Sequence, residues 1–160
     1  MVQSGYAGDK STGYYVKTLP QQNIMRFILS ILFILTQLHS FSQLNVSIDN
    51  IKRDSGTVLI ALYNSKNSFN NIKEVYREGR AGVKGKKAVF TFEDLPPGEY
   101  AISLFHDINN NEVMDKSDAG LPVEPYGFSN NARGNFGPPS YKKAKFTYDG
   151  KSMDISIMIK

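Results

Sequence analysis

From Gln43 onward the chain alternates apolar and polar residues with a period of two, the spacing of strands half-buried in a sheet. Leu44, Val46 and Ile48 alternate with Asn45, Ser47 and Asp49. Val58, Ile60 and Leu62 share one face of the next run, while Leu59 and Ala61 make its other face apolar too. That pattern predicts a central strand covered on both sides. Ala88, Phe90 and Phe92 alternate with Val89, Thr91 and Glu93, and Tyr100, Ile102 and Leu104 obey the same rule. Phe146 and Tyr148 form a short run, and Met153, Ile155, Ile157 and Ile159 complete the series. Residues 72–83 read two ways. Ile72, Val75 and Tyr76 fit a helical turn, whereas Val75, Arg77 and Gly79 fit an edge strand, which we prefer for the second half.

Turn signals separate the runs: Asp54-Ser55-Gly56, the polar stretch 64–71, Leu95-Pro96-Pro97-Gly98, and Asp149-Gly150. The last is a two-residue hairpin signal. No long helical period competes with these strands. Short strands with Gly and Pro turns predict an all-β fold, a β-sandwich. Ten Phe and nine Tyr suit strands better than helices.

Ahead of this domain, Met25–Gln43 has the layout of an export signal. Arg26 supplies a positive start, Phe27 to Leu38 an apolar run, and Ser40 and Ser42 the small residues before a cleavage after Ser42. The apolar run is about twelve residues, too short to span a bilayer, which takes roughly 20. The alternative is an amphipathic or buried helix. Residues 1–24 are polar and unlike a signal, so the expected organisation is a disordered or mis-assigned extension (1–24), a signal peptide (25–42) and one β-domain (43–160). The expected location is therefore the periplasm, the outer membrane or the exterior, with no stable membrane span once the signal is removed.

Composition narrows the chemistry. The chain of 160 residues has no Cys, which rules out disulfides, thiolate metal sites and a Cys nucleophile. Its only histidines are His39 and His106, and His39 lies in the expected signal, so zinc is disfavoured. Lys10, Lys17, Arg26 and Asp9 all precede Gln43, so half of the formal net charge of +4 belongs to that segment. No basic stripe with interleaved aromatics is present, and nucleic acid is not an expected partner. A monomer is expected.

The most specific motif is Asp107-Ile108-Asn109-Asn110-Asn111-Glu112-Val113-Met114-Asp115-Lys116-Ser117-Asp118. Its oxygen-bearing residues stand at positions 1, 3, 5, 9 and 12, the spacing by which a tight loop wraps Ca2+. The candidate ligands are Asp107, Asn109, Asn111, the Val113 carbonyl, Asp115 and Asp118. Calcium is expected to order the loop rather than take part in catalysis. Position 6 is Glu112 where the motif has Gly. That position requires φ > 0, which strains a side-chain-bearing residue. The alternative is an Asn-rich turn without metal, since Asn and Asp favour turns by themselves.

Residues 120–141 contain four Pro and the aromatics Tyr126, Phe128, Phe136 and Tyr141. This is expected to be one long irregular loop. Tyr126, Phe128, Asn130, Asn131 and Arg133 place planar hydrogen-bonding groups beside aromatic faces, a mixture suited to a glycan or peptide ligand. The alternative is that the aromatics pin the loop to the core and the Asn side chains satisfy its backbone. His106 beside Asp107 is the one candidate base, but alternation puts it on the face of Ile102 and Leu104, as a structural residue. No G-x-S-x-G motif is present.

The runs LPPGEYAISLFHDINNNEVMD and GLPVEPYGFSNNARGNFGPPSYKKAKF resemble the DUF2141 family of uncharacterised exported bacterial proteins, over about residues 44–160. The segments HD-x-N-x-N…D and GFSNNA…GPPS carry the likeness. The resemblance implies a secreted or periplasmic domain, found especially in Gram-negative bacteria, with no established activity. The family usually has Gly where this chain has Glu112. Phe90 to Tyr100 also resembles transthyretin-like and carboxypeptidase-regulatory-like domains, which implies about seven strands in a two-sheet, transthyretin-like or Ig-like sandwich. The expected function is an exported, non-catalytic binding or accessory domain with a structural calcium loop.

Overall fold

The computed structural model describes residues 42–160. The expected extension 1–24 and export signal 25–42 lie outside the described residues, apart from Ser42.

Eight strands form the domain: β1 (Gln43–Asp49), β2 (Thr57–Tyr63), β3 (Arg77–Gly82), β4 (Ala88–Glu93), β5 (Gly98–Asp107), β6 (Tyr126–Phe128), β7 (Phe146–Tyr148) and β8 (Met153–Met158). A four-residue helix α1 (Tyr141–Ala144) and two short 3-10 turns, Ile72–Glu74 and Ser129–Asn131, complete it. The architecture is an all-β sandwich. One sheet runs β4-β1-β8, and the other β3-β2-β5-β6 with β7 on the start of β5. β1 and β8 are parallel, with Val46 opposite Ile155 and Ile48 opposite Ile157.

The period of two decides what faces inward. Leu44, Val46 and Ile48 from one sheet meet Val58, Ile60 and Leu62 from the other, and all six are at most 3% exposed. Each buried side chain of this size contributes on the order of 1.5–3 kcal/mol. Ile102, Leu104 and Tyr148 fill the space between them. The second half of the ambiguous stretch is strand β3, as its edge pattern predicts, and the first half holds the 3-10 turn.

Two features depart from the sequence reading. β6 is an eighth strand, set inside the stretch expected to be irregular. Gly127 lets it lie close, because a Cβ there would stand 2.9 Å from Ile157 Cγ2. And Asp149-Gly150 does not close a hairpin. β7 pairs with β5 while β8 pairs with β1, so the turn carries the chain from one sheet to the other.

The sandwich closes along both sides. Tyr126 and Lys160 exchange backbone hydrogen bonds at 3.2 and 3.1 Å, joining β6 to the segment after β8. On the opposite side the Arg77 guanidinium on β3 donates to the carbonyls of Glu93 (2.7 Å) and Asp94 (3.2 Å), at the end of β4. Such bridges occupy strand edges that would otherwise invite pairing with another chain.

Candidate binding groove and cation loop

The outer face of the five-stranded sheet is covered at one end only. There Ala101 packs with Phe128 and Ala144, flanked by Phe69, Ala132 and Tyr141. Ser129, 1% exposed, holds this cover down. Its Oγ accepts from Ile102 N–H at 2.9 Å and donates to the Ala144 carbonyl at 2.6 Å. The hydroxyl thus takes a ladder position on β5 between the stretches paired with β6 and β7.

Beyond this cover the same face lies open as a groove of about 720 Å³, within the roughly 300–1,000 Å³ typical of ligand sites. Leu59, Ala61, Ser103 and Phe105 are among its lining residues, and Leu121, Pro122 and Pro138 contribute from the long loops. The apolar second face of β2, read from Leu59 and Ala61 as buried, is instead half-buried here. Burial pushes the pKa of the Tyr63 hydroxyl, also in the lining, above its ordinary value.

The 107–118 loop stands over one end of this groove. Asp107, at the end of β5, is 1% exposed. Its Oδ1 accepts from Asn111 N–H at 3.1 Å and its Oδ2 from Glu112 N–H at 2.8 Å. Asn109 and Asn111 both donate their side-chain amides to Asp115, at 2.8 and 3.0 Å. Glu112 adopts φ +63, the left-handed turn that position 6 requires. Its carboxylate pairs with Arg80 on β3 through both oxygens, which holds it below the usual carboxylate range. Glu112 and Arg80 both line the groove, so the residue that breaks the glycine rule ties the loop to the sheet.

Three of the six predicted ligands meet through their side chains. Asn109, Asn111 and Asp115 are joined by their side chains, and the Asp107 carboxylate accepts from the Asn111 N–H of the same loop. Asp118 sits in an exposed turn closed by Gly120 N–H to the Ser117 carbonyl at 2.8 Å, and Val113 is 62% exposed. Among the described residues, no three or more His, Asp or Glu side chains are grouped to hold a metal ion. Sequence reasoning missed Glu124. It is 5% exposed, and its two oxygens accept from Ile108 N–H (2.9 Å) and Asp115 N–H (3.1 Å), closing the loop from behind. An acidic residue between Pro122-Val123 and Pro125 was the available signal.

Of the five residues predicted for a ligand in 120–141, all but Asn130 share the lining of one recess. Tyr126 and Phe128 line the large groove. Asn130 donates to the Lys145 carbonyl at 2.8 Å and Asn131 accepts from Met158 N–H at 2.8 Å, so both side chains serve the backbone. Asn131 and Arg133 border, together with Tyr126 and Phe128, a smaller recess of about 130 Å³ that shares those two aromatics with the groove. His106 is 1% exposed, and its Nε2 lies 2.6 Å from the Ser55 carbonyl oxygen. It fixes the β1–β2 loop, on the inward face that alternation assigned to it.

The family model described as "Uncharacterized protein conserved in bacteria (DUF2141)" matches residues 46–156. The chain belongs to this family. The match runs from β1 into β8 and takes in both the 107–124 loop and the groove walls. No curated protein and no solved structure matches the chain.

Proposed function

We propose that this DUF2141 domain is an exported, non-catalytic binding module, and that the groove on the outer face of its five-stranded sheet is the working surface. The groove itself carries this reading: a concave, largely apolar surface of ligand-site size on a rigid sheet, with its walls built by loops. The aromatic-and-Asn surface at 126–133 is less suited, because Asn130 and Asn131 already serve backbone groups. Among the described residues no helix is long and apolar enough to cross a membrane.

Calcium enters the same reading as a brace for the loop wall. Rotating the Asn109 and Asn111 amides would give up the bonds that their oxygens accept from the Asn111 and Val113 N–H groups, and would turn those oxygens toward the position of the Asp115 carboxylate, giving an oxygen-only set of the kind Ca2+ takes. Asp107 would add charge from the base of the loop. Free calcium about tenfold above Kd would then stabilise the fold by about 1.4 kcal/mol.

The test is capture of ligands from glycan and peptide arrays, with Ala61→Glu in the groove and Arg133→Ala outside it. Loss at Ala61 with retention at Arg133 supports the groove, and the reverse pattern overturns it. Thermal unfolding with calcium, magnesium or chelator reads the brace separately. A melting temperature indifferent to calcium in the parent protein, or equally raised in Asp115→Ala, removes calcium from the account.

A further inference from the structure

The smaller recess, of about 130 Å³, lies where β6 and the end of β8 meet the loop after Asn131. It is close in size to a cavity of roughly 150 Å³ that holds one benzene ring, so it has room for a single side chain or end group. Its walls are fixed at both ends of that loop. Asn131 accepts from Met158 N–H at 2.8 Å, and Pro139 is buried. Between them the chain folds back on itself, because a Cβ on Gly134 would stand 2.2 Å from the Gly137 carbonyl oxygen. Phe128, Ala132 and Met158 give the recess an apolar side.

Charge distinguishes this recess from the groove. Arg133 and Lys160 line it and no Asp or Glu side chain does, whereas in the groove Glu78 and Glu112 offset Arg80 and Lys116. Counting the α-carboxylate of Lys160 still leaves the lining positive. The chain from Pro125 to Tyr148 holds no Asp or Glu at all. Within it Lys143 donates its Nζ to the Arg133 carbonyl at 3.3 Å, which adds a third cation beside the recess. Among the described residues, the backbone N–H groups of Arg133, Gly134 and Gly137 donate to no protein acceptor. Cations and unclaimed N–H groups around one hollow are the components of an anion site.

We propose that the recess binds the free carboxyl end of a peptide chain. The carboxylate meets Arg133 and Lys160, and the last side chain, an apolar one, enters beside Phe128 and Met158. Capture of a terminal carboxylate by backbone N–H groups is a known recognition mode, and one residue is what the volume admits. A carboxylate on a sugar ring is the poorer occupant, because Asn130 and Asn131, the side chains suited to hydroxyls, already serve backbone groups. Tyr126, Phe128 and Gly137 line both hollows, whereas Arg133 and Lys160 line the recess and not the groove. The recess therefore stands or falls independently of the groove.

The probe is N-acetyl-Ala-Ala-Leu with a free carboxylate, titrated into the purified protein up to about 10 mM and followed by NMR chemical shifts. The same peptide as its C-terminal amide is the comparison. The carboxylate form is expected to bind at least about tenfold tighter, the scale of a hydrogen bond to a charged group, and to weaken as salt rises. Arg133→Gln and Lys160→Gln, both at exposed positions, should each weaken it by about tenfold. Their unfolding curves should match the parent, and Ala61→Glu in the groove should leave the binding unchanged. Equal binding of the amide, of acetate alone or of glucuronate overturns the assignment, as does a site indifferent to Arg133→Gln. Loss at Ala61→Glu with retention at Arg133→Gln moves the carboxylate to the groove, so the recess falls and the groove reading stands. An absence of shifts with every probe also removes the recess, and the array pattern at Ala61 still decides the groove.

Discussion

Removing the Ser129 hydroxyl tests the argument that one side chain seats the cover over the sheet's outer face. In Ser129→Ala the N–H of Ile102, a residue 0% exposed, loses its partner at 2.9 Å. A buried donor left unsatisfied costs about 1–3 kcal/mol, and a lost neutral hydrogen bond about 1 kcal/mol. The Ala144 carbonyl loses the 2.6 Å bond from Ser129 but keeps the Asn130 amide at 3.2 Å, so its share is smaller. The cavity is one oxygen atom, and packing changes little. The total is about 2–3 kcal/mol, a large part of the stability of an ordinary domain. Urea unfolding followed by circular dichroism measures it as a shift in midpoint at constant slope. Ser117→Ala, on the exposed turn, serves as the control and should stay within about 0.5 kcal/mol. A loss below about 0.5 kcal/mol for Ser129→Ala would refute the reasoning, by showing that Ile102 finds another partner.

Two further substitutions probe the frame of the groove. The Glu112 carboxyl is held below its ordinary value of 4.5 by Arg80, so its stabilising share is present above about that pH and disappears as the pH falls through its folded value. Glu112→Gln should therefore melt below the parent at pH 7 and converge with it in acid, and a gap that persists or widens in acid would contradict the pairing. Gly127→Ala would bring a methyl 2.9 Å from Ile157 Cγ2 and 3.0 Å from the Met158 carbonyl. An overpacked contact of this sort should cost about 1–3 kcal/mol in urea unfolding, and an unchanged midpoint would show that β6 is not pressed against β8.

The strands were legible where alternation was long. β1, β2 and β5 carry a large apolar residue at every second position, and each of those residues is buried. β6 was hidden because it has three residues with a glycine between its two aromatics, too few for a period to register. Sheet membership was illegible at Asp149-Gly150, since a tight turn fixes local direction and not which neighbour the next strand finds. In the loop, the left-handed backbone at Glu112 could be read from motif position alone. Its partner Arg80 could not, being 32 residues away in sequence. Glu124 and the groove were missed for the same reason, because both are assembled from segments that meet only in the folded sheet.

The parallel pairing of β1 with β8 also orders events in time. Asn45 and Asp154 hydrogen-bond across 109 residues of sequence, and contacts of such separation form slowly because a long loop must close first. β1 is made early yet has one edge unpaired until the last strand arrives. A chain interrupted before Met153 cannot finish the three-stranded sheet, however well its other sheet forms.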